Sequence, residues 1–419
     1  MAATTIHDAF GQPRQRMHDA FRFELDLNDR QRTWCVRSAG VARYVWNWGL
    51  RDRIDRFEHN EGKAKFISAY SQQSEWVKVK PEWAYEVSCW ASVSALGDLD
   101  AAFRNFWQSR KAGRRVGFPR FKAHGKSRDA FKLRQGVRVL DERHIRLPGI
   151  GSLKIKGSTR RMSAIGYDKI MCATVSRQAE RWFVSFSIER QHEVSTPPVG
   201  EPVGIDVALR GFVLSTGEEV LSPRPLKNSL RKLRRAQQAV ARSQRNSASR
   251  KRKLIRVARI HRRVANQRSD WLHKFSDRLT REHPVIGHET LNIAGLKRKG
   301  TRQGRSWADL GAAEFFRQLA YKGERRGVCI VAAPRFYPSS KTCSGCQAVK
   351  VDLPLSVKTY VCDACGLVLD RDFNAALNLR SVAVTPTETL NAGGGIVRLG
   401  LARAVPAKPE PSTVLLVAA

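Results

Sequence analysis

Four of the eight cysteines stand in two pairs, and each pair encloses two residues. Cys343 and Cys346 form the first pair, Cys362 and Cys365 form the second, and 15 residues separate the pairs. Loops this short turn both sulfurs toward one ion, so the spacing predicts a tetrahedral site for one Zn²⁺. A closed shell of four thiolates leaves no position for water, which indicates a structural metal. A redox-active Cys-x2-Cys pair is the alternative for this pattern.

Three acidic residues lie at the boundaries of predicted elements. Asp206 lies at the end of an apolar strand, Glu289 follows the short strand 284–288, and Asp372 opens the last helix. A single acid in such a place is more often a cap or an ion-pair partner. Three carboxylates brought together would instead hold Mg²⁺, and two such ions could activate a water molecule and stabilise the leaving oxygen of a phosphodiester. These acids therefore indicate metal-dependent hydrolysis of nucleic acid.

The charge of the chain also favours a nucleic-acid partner. Its 419 residues include 75 Lys and Arg against 38 Asp and Glu, which gives a net charge of +37. Seventeen of these cations, and no acid, fall between Arg224 and Arg268. A surface of one sign repels itself unless a polyanion lies along it, so we expect this segment to contact phosphates. The expected contacts are Arg231, Lys232, Arg234, Arg235, Arg252, Lys253, Arg256, Arg259, Arg262 and Arg263.

An anionic membrane surface would be the competing polyanion. The sequence has no run of 18 or more apolar residues, and its first residues lack the apolar stretch of a signal peptide. We therefore expect no membrane partner and a cytoplasmic, nucleoid-associated protein. The sequence does not indicate an oligomeric state.

Hydrophobic periodicity predicts the elements of the first half of the chain. Alternation over 21–27 predicts a half-buried strand, and Asn28 with Gln31 forms a helix-capping pair after it. Helical spacing then continues to about residue 115. Short strands recur over 116–200, at a spacing typical of a small β-barrel. The helices are therefore expected to be an insertion in a barrel.

The second half follows a different order. A strand ending near Asp206 is followed by a hairpin, a third strand and two basic helices with a break near 243–249. The strand before Glu289, a helix over 307–326 and a strand over 328–333 come next. This is the order of an RNase H-like fold, in which acids on the first strand, the fourth strand and the final helix converge on one edge of the sheet.

Several motifs carry a resemblance to a known family. GIDVALRGF, VIGHETLNIAGL, RFYPSSKTCSGC and CDACGLVLDRDFNAALNL closely resemble the RuvC-like nuclease and zinc-ribbon region of the TnpB proteins of insertion sequences. The related compact type V CRISPR effectors share these motifs. RSAGVARYVWNWGL, AAFRNFW, GFPRFK and LPGIGSLKIKG extend the similarity upstream, so it covers roughly residues 18–382.

The resemblance implies an RNA-guided endonuclease that cleaves double-stranded DNA next to a short adjacent motif. Its partners would be a guide RNA, of the omega RNA or crRNA type, and double-stranded target DNA. Asp206, Glu289 and Asp372 match the three catalytic acids, which would hold Mg²⁺. Asp370 is the rival for the third place, and we expect Asp372 because a helix N-terminus projects it into the site. The adjacent motif would be inspected near residues 90–94.

The implied fold class is a multidomain α/β protein. An RNase H-like (RuvC) nuclease domain with an inserted zinc ribbon follows a β-barrel wedge domain that carries a helical insertion. The expected boundaries are a flexible leader over 1–18, the wedge over 19–28 and 116–200, the helical recognition insertion over 29–115, the nuclease domain over 201–342 and 369–382, the zinc ribbon over 343–368 and a disordered tail over 383–419.

Three positions depart from the pattern of the family. Thr290 stands where Asp often follows the second acid, Gln347 where Gly often ends the first knuckle, and Ala208 where Gly is common. None of them removes a metal ligand, so an active nuclease is expected. Two alternatives stay open, namely a metal-dependent DNA transposase without a guide and a nuclease-silent, RNA-guided DNA-binding repressor.

Overall fold

The structure is a computed structural model, and it describes residues 5–7, 13–59, 67–114, 116–193, 195–297, 303–354, 356–385, 389–390 and 396–397. The chain forms two compact units. The first comprises Met1–Glu193 with Leu254–Arg259, and the second comprises Val194–Lys253 with Ile260–Ala419. No described helix is both long enough and apolar enough to span a bilayer.

The first unit contains one antiparallel sheet. Its strands are β1 (Thr5–His7), β2 (Pro13–Asp26), β3 (Ala130–Leu133), β4 (Arg138–Val139), β5 (His144–Leu147), β6 (Gly151–Lys156), β7 (Lys169–Gln178) and β8 (Arg181–Glu193). They are ordered β3-β7-β8-β2-β6-β5-β4, and β1 pairs with β2. The end strands β3 and β4 each pair with one described neighbour, so the described ladders do not close the predicted barrel. The spacing of short strands indicated a sheet but carries no information on closure.

The start of β2 corrects the predicted leader. β2 begins at Pro13, and its first residues pair with the last residues of β8, as Gln15 does with His192. Residues 13–18 therefore belong to a strand, which the sequence did not show because the stabilising partner lies far away in the chain. The rest of the leader, apart from β1, lies outside the described residues.

Helices fill the interval between β2 and β3. These are α1 (Asp29–His59), α2 (Ala69–Val79) and α3 (Cys89–Lys111), with a 3₁₀ turn at Glu82–Glu86, and α4 (Arg160–Ala164) follows β6. The predicted capping pair is confirmed, because the N–H of Gln31 donates to Asn28 Oδ1 and the N–H of Asn28 donates to Gln31 Oε1. Leu50 of α1 and Leu96 and Leu99 of α3 are fully buried. Helices and sheet thus belong to the same unit.

The described residues of the second unit form a mixed sheet and two small two-stranded sheets. Its strands are β9 (Val203–Ala208), β10 (Gly211–Leu214), β11 (Glu219–Leu221), β12 (Val285–His288), β13 (Cys329–Ala332), β14 (Thr359–Val361), β15 (Val368–Asp370), β16 (Thr389–Leu390) and β17 (Ile396–Val397). Five strands form one sheet in the order β11-β10-β9-β12-β13, and the small sheets are β14-β15 and β16-β17. In the first three strands β10 is antiparallel to both β11 and β9, whereas β9, β12 and β13 run parallel.

The helices of this unit are α5 (Pro225–Ala241), α6 (Ala248–Glu282), α7 (Ile293–Leu296), α8 (Gly304–Leu310), α9 (Ala312–Arg326) and α10 (Arg371–Val384), except that residues Leu254–Arg259 of α6 belong to the first unit. The predicted break between the two basic helices is confirmed. The single helix predicted over 307–326 is wrong, because Gly311 has φ +77° and separates α8 from α9. Phe212 of β10, Phe275 of α6 and Phe315 of α9 form the centre of the core, with ring centroids 4.3 to 5.3 Å apart.

The predicted tail starts too early by two residues, because α10 continues to Val384 and ends on a cap at Thr385. The short strands β16 and β17 pair with each other. The remainder of 383–419 lies outside the described residues.

Candidate functional site

Asp206 is placed by the central strand of the second sheet. It lies on β9 opposite Val213 of β10, and β12 flanks β9 on the other side. The strand forms because β9 is an apolar run whose Val203 and Ile205 are completely buried. Asp206 is therefore a polar exception in an otherwise apolar strand.

Glu289 follows directly after β12, which runs parallel to β9. Its Oε1 atom accepts a hydrogen bond of 3.2 Å from the backbone N–H of Val207, the residue after Asp206. This bond connects Glu289 to β9, the strand that carries Asp206. The next residue, Thr290, donates from its hydroxyl to the carbonyl oxygen of Ala333 at 2.7 Å. The threonine that departs from the family pattern thus connects the ends of β12 and β13.

The two aspartates before α10 have different surroundings. Asp370 is the N-cap, and its Oδ1 accepts from the N–H groups of Asp372 and Phe373 at 2.9 and 3.0 Å. Asp372 lies in the first turn, where Arg371 binds its Oδ1 at 3.0 Å and Lys358 lies 3.3 Å from its Oδ2. The Asp370 carboxylate thus accepts hydrogen bonds from the backbone of α10, whereas the Asp372 carboxylate contacts the charged side chains of Arg371 and Lys358.

The three acids share one electrostatic environment. Loss of solvent raises the pKa of Asp206 well above its usual range, and the carboxyls of Glu289 and Asp372 raise it further. Desolvation also raises the pKa of Glu289 to about 7, although the N–H of Val207 opposes this shift. The structure therefore brings the three predicted acids together. Their crowding of like charge is what a hard divalent cation would relieve, so this set of oxygen donors fits Mg²⁺.

Two glycines let α10 lie directly on the sheet. A Cβ atom on Gly204 of β9 would overlap the carbonyl oxygen of Ala376, and one on Gly287 of β12 would overlap the carbonyl oxygen of Leu379. The backbone of α10 therefore packs against the two strands that carry Asp206 and precede Glu289. This close approach sets the position of Asp372 relative to the other two acids.

The four paired cysteines meet in one place. Their sulfur atoms all lie within 4.8 Å of one another, and the Cys343–Cys365 and Cys346–Cys362 distances are both 3.6 Å. Four thiolates at about 2.3 Å from a tetrahedral ion would be ~3.8 Å apart, so this arrangement fits a four-thiolate metal site. Within the described part of the chain, no other group of three or more acids, cysteines or histidines is packed this tightly. The three carboxylates are thus more widely spaced than the thiols.

The backbone conformation at Gln347 bears on one departure from the family pattern. It ends the first knuckle with φ +64°, in the left-handed region that favours glycine. The family's frequent glycine at this place therefore has a backbone reason, and this chain keeps the same turn with a strained residue.

Asparagines join the first cysteine knuckle to the helix of Asp372. Asn374 accepts from the N–H of Ser344 at 3.0 Å and donates to the carbonyl of Thr342 at 2.7 Å. Asn378 donates to the carbonyls of Thr342 and Ser339. Both side chains are fully buried. Sequence reasoning missed them, although two asparagines four residues apart lie on the same face of a helix and were a usable signal.

Sequence reasoning also missed Arg371 and Lys358, the two cations on Asp372. Arg371 could have been suspected as the middle residue of DRD. Lys358 has no local signal, because only the fold of the ribbon brings it to α10. The N–H of Arg371 donates to the carbonyl of Lys358 at 2.7 Å, so the ribbon and the start of α10 are directly joined.

The basic residues predicted to contact phosphates lie on α5 and α6. Most of the ten side chains are exposed, and Lys253 and Arg262 are half-buried. Three of the ten side chains have contacts within the protein. Lys253 donates a hydrogen bond to Ser243 Oγ, and Arg259 forms an ion pair of 2.9 Å with Glu180. Arg262 also has an interaction partner. Residues 90–94 lie in the first two turns of α3, and three of these five side chains are buried. That segment therefore offers little surface for reading an adjacent motif.

Comparison with known proteins identifies the family. Models described as "Probable transposase", "Cas12f1-like, TNB domain" and "Helix-turn-helix domain" match residues 185–300, 313–379 and 17–63. A protein of Streptomyces pristinaespiralis named "Putative RNA-guided DNA endonuclease" is 34% identical over 376 residues, covering 87% of this chain and 89% of the relative. A mimivirus "TnpB-like protein" is 32% identical over 197 residues, covering 44% of this chain and 37% of that protein. The chain belongs to the TnpB family. The family expected from the motifs is thereby confirmed.

A further relative and a solved structure each match most of the chain. The Escherichia coli protein named "Putative RNA-guided DNA endonuclease InsQ" is 29% identical, and the match covers 94% of this chain and 98% of that protein. A chain of the Cas12f1–sgRNA–target DNA complex superposes with a TM-score of 0.53 at 14% identity, covering 87% of this chain and 99% of that chain. At that identity the likeness concerns the fold, which is the mixed α/β architecture of compact Cas12 effectors.

Proposed function

We propose that this chain is an RNA-guided endonuclease that cleaves double-stranded DNA next to a short adjacent motif. The observation that carries the proposal is the convergence of Asp206, Glu289 and Asp372 on β9, the end of β12 and the start of α10. Membership of a family whose relatives bear that activity in their names supports it. A nuclease-silent repressor is not favoured, because all three acids are present. A transposase without a guide is not favoured either, because the relatives that cover most of the chain are named as RNA-guided endonucleases, although one matching family model is described as "Probable transposase".

The nuclease centre is assigned to the second unit. The strand order β11-β10-β9-β12-β13, in which β9 pairs antiparallel with β10 and parallel with β12, supports an RNase H-like (RuvC) domain over 201–342 and 369–382. Bound Mg²⁺, as two ions, would activate the attacking water and stabilise the leaving oxygen. Asp206 and Asp372 would hold the ions, and Glu289 would join them while keeping its bond to Val207. Arg371 and Lys358 lie against Asp372 and balance its charge.

The four cysteines are assigned to one structural Zn²⁺ in a ribbon over 343–368. A closed thiolate shell would fix the ribbon as a folded unit, because a segment this short has little core of its own. Through Asn374 and Asn378 the folded knuckle would hold α10. The zinc site would therefore support the carboxylate site without taking part in the chemistry.

The remaining surfaces are assigned to the nucleic acids. The first unit would serve as the wedge and recognition region, and the exposed cations of α5 and α6 would grip phosphate backbones of the guide RNA and its heteroduplex. These side chains include few groups suited to read base edges, so guide pairing would supply the sequence specificity.

The proposal is tested on protein purified with the RNA that accompanies it. Sequencing of that RNA should find one defined species, and its removal should abolish cleavage of a matching DNA. Cleavage should also require added Mg²⁺ after exhaustive removal of loosely bound metal. Full, sequence-specific cleavage by RNA-free protein would reject the proposal.

A further inference from the structure

The residues on either side of Glu289 are both bonded to the same neighbour, Ala333. This alanine directly follows β13, and its N–H donates to the carbonyl of His288 at 2.8 Å. Its own carbonyl accepts from the hydroxyl of Thr290 at 2.7 Å. Ala333 is buried, and both of its backbone groups are satisfied by the residues that precede and follow Glu289. The backbone of Glu289 is therefore held on both sides by one buried residue.

The side chain of His288 lies on the face of the sheet opposite to α10. The preceding residue, Gly287, faces α10, because a Cβ atom there would overlap the carbonyl oxygen of Leu379, and successive strand residues point to opposite faces. The imidazole accordingly stacks on Phe316 of α9, with ring centroids 4.3 Å apart and 23° between the rings. Its Nδ1 lies 2.9 Å from the carbonyl oxygen of Glu289, and we assign the proton to Nδ1 because a carbonyl oxygen only accepts.

The carboxylate of Glu289 reaches toward the other neighbouring strand. In the sheet, β12 lies between β9 and β13. Ala333 lies on the β13 side, whereas Glu289 Oε1 accepts from the N–H of Val207 on β9, one residue beyond Asp206. The backbone of Glu289 is thus bonded on one side and its carboxylate acts on the other. Since functional groups at such a site must be held within about 0.5 Å, the bonds to the backbone decide where the carboxylate lies.

Thr290 belongs to this arrangement without being part of the core. Its side chain is exposed, so water can replace its bond to Ala333 and loss of the hydroxyl should cost little stability. An aspartate, which often stands at this place in the family, has no proton on its ionised carboxylate to donate to a carbonyl. The bond therefore depends on the threonine that this chain has in its place.

We propose that His288 and Thr290 are positioning residues, which hold the backbone of Glu289 so that its carboxylate meets Val207 and the metal-binding side of the site. The inference rests on the proposed function for the role of Glu289 as a metal-holding acid. The placement of the carboxylate does not depend on that role, and it can be measured without nucleic acid. The competing explanation is that both residues only stabilise the end of β12.

Hydrogen exchange at the amide of Val207 tests the placement, because this N–H is bonded to the Glu289 carboxylate. It is measured on the full chain after removal of nucleic acid and loosely bound metal, with fragmentation that resolves single residues. T290V removes the hydroxyl and keeps the shape of the side chain, T290S keeps the hydroxyl, and H288F keeps a ring for stacking but loses the donor. We expect exchange at Val207 to be at least about fivefold faster in T290V and H288F, the factor that loss of one hydrogen bond gives, and unchanged in T290S.

The amide of Ile205, inside the same strand, is the internal reference for this measurement. It should exchange at the same rate in all variants. Equal acceleration at Ile205 and Val207 would mean an ordinary loss of stability and would overturn the positioning role. T385V is the matched control, because Thr385 is also an exposed threonine of the second unit and its hydroxyl donates to the carbonyl of Ser381 at 2.8 Å. That variant should leave Val207 unchanged.

Mn²⁺, as a stand-in for Mg²⁺, tests whether the placement matters to the site. Its binding to the same nucleic-acid-free chain is followed by electron paramagnetic resonance. We expect T290V to bind Mn²⁺ about tenfold more weakly and, once loaded with RNA, to cleave about tenfold more slowly, whereas T290S and T385V match the wild type. The melting temperatures of all three variants should be those of the wild type.

Two results separate this inference from the function on which it rests. Faster exchange at Val207 in T290V, with Mn²⁺ binding and cleavage unchanged, would overturn the positioning role while the nuclease stands. Wild-type protein that never cleaves a DNA matching its RNA would reject the proposed function. In that case the exchange rates and Mn²⁺ affinities of T290V and T290S would still decide whether Thr290 places Glu289.

Discussion

The candidate site brings three acids into one electrostatic environment. Asp206 and Glu289 are desolvated, and Asp372 is paired with Arg371 and Lys358. We expect replacement of any one by Ala to lower cleavage by about a thousandfold, since several kcal/mol of metal-dependent stabilisation would be lost. DNA binding should persist, because the basic surfaces are untouched. Single-turnover cleavage and equilibrium binding of the three variants measure both. An active D372A beside an inactive D370A would show that Asp370 is the third acid.

The raised pKa of Glu289 predicts how stability depends on pH. Its carboxyl has a pKa of about 7 in the folded protein, against an ordinary 4.5. Between pH 4.5 and pH 7 the folded state binds more protons than the unfolded state, so the free energy of unfolding decreases as the pH rises. The stabilisation from the raised pKa of Glu289 is fully present below pH 4.5 and is lost as the pH rises through 7. Without added Mg²⁺, we expect the melting temperature of E289Q to fall less than that of the wild type between pH 5 and pH 8. Parallel pH profiles would contradict the assigned desolvation.

At the scale of elements, the position of α10 decides whether the acids can meet. We expect G204A to push α10 away from β9, lowering stability by about 1–3 kcal/mol and reducing cleavage. G40A is the matched control, because Gly40 lies inside α1 and a Cβ there would meet nothing within 4 Å. That variant should be neutral or slightly stabilised. Thermal unfolding and cleavage rates compare the two, and an active, stable G204A would refute the close packing.

The contacts of Asn374 and Asn378 predict that zinc and cleavage are linked. N374A/N378A would leave buried groups of Ser344 and Thr342 without partners, at a cost of about 1–3 kcal/mol for each group. We expect this variant to keep about one zinc per chain but to cleave more slowly. C343S/C362S should lose both zinc and cleavage. Metal analysis with cleavage assays distinguishes them, and a zinc-free protein with full activity would contradict the structural role of the metal.

The sequence predicted most elements of the second unit because their signals are local. Apolar runs marked β9 and β12, and basic amphipathic spacing marked α5 and α6. Other features depend on distant partners and had no local signal. Pro13–Met17 form a strand only because β8 is long enough to pair with them, and Lys358 reaches Asp372 only through the fold of the ribbon. Gly311 was visible but was not recognised as a helix boundary, since a single glycine inside a helical pattern is often tolerated.

At the scale of the whole molecule, the most basic segment of the sequence and the three candidate catalytic acids do not overlap. The net charge of +37 is concentrated in stretches such as the seventeen cations between Arg224 and Arg268, whereas the candidate carboxylate site contains only three acids. Phosphate contacts position a nucleic acid but do not specify its sequence. A chain built in this way needs a second molecule to choose the target, and a guide RNA would supply that choice while neutralising part of the charge.

Changing only the guide tests this account most directly. Samples of the protein are loaded with RNAs that differ only in the guide segment. Each sample is mixed with a pool of DNA targets that carry the same set of flanking sequences, and the cut sites are sequenced. D206A with the same RNAs provides the background. We expect cleavage to move to the DNA that matches each new guide and to vanish in D206A. Cleavage that stays at one DNA sequence whatever guide is supplied would contradict RNA-guided recognition.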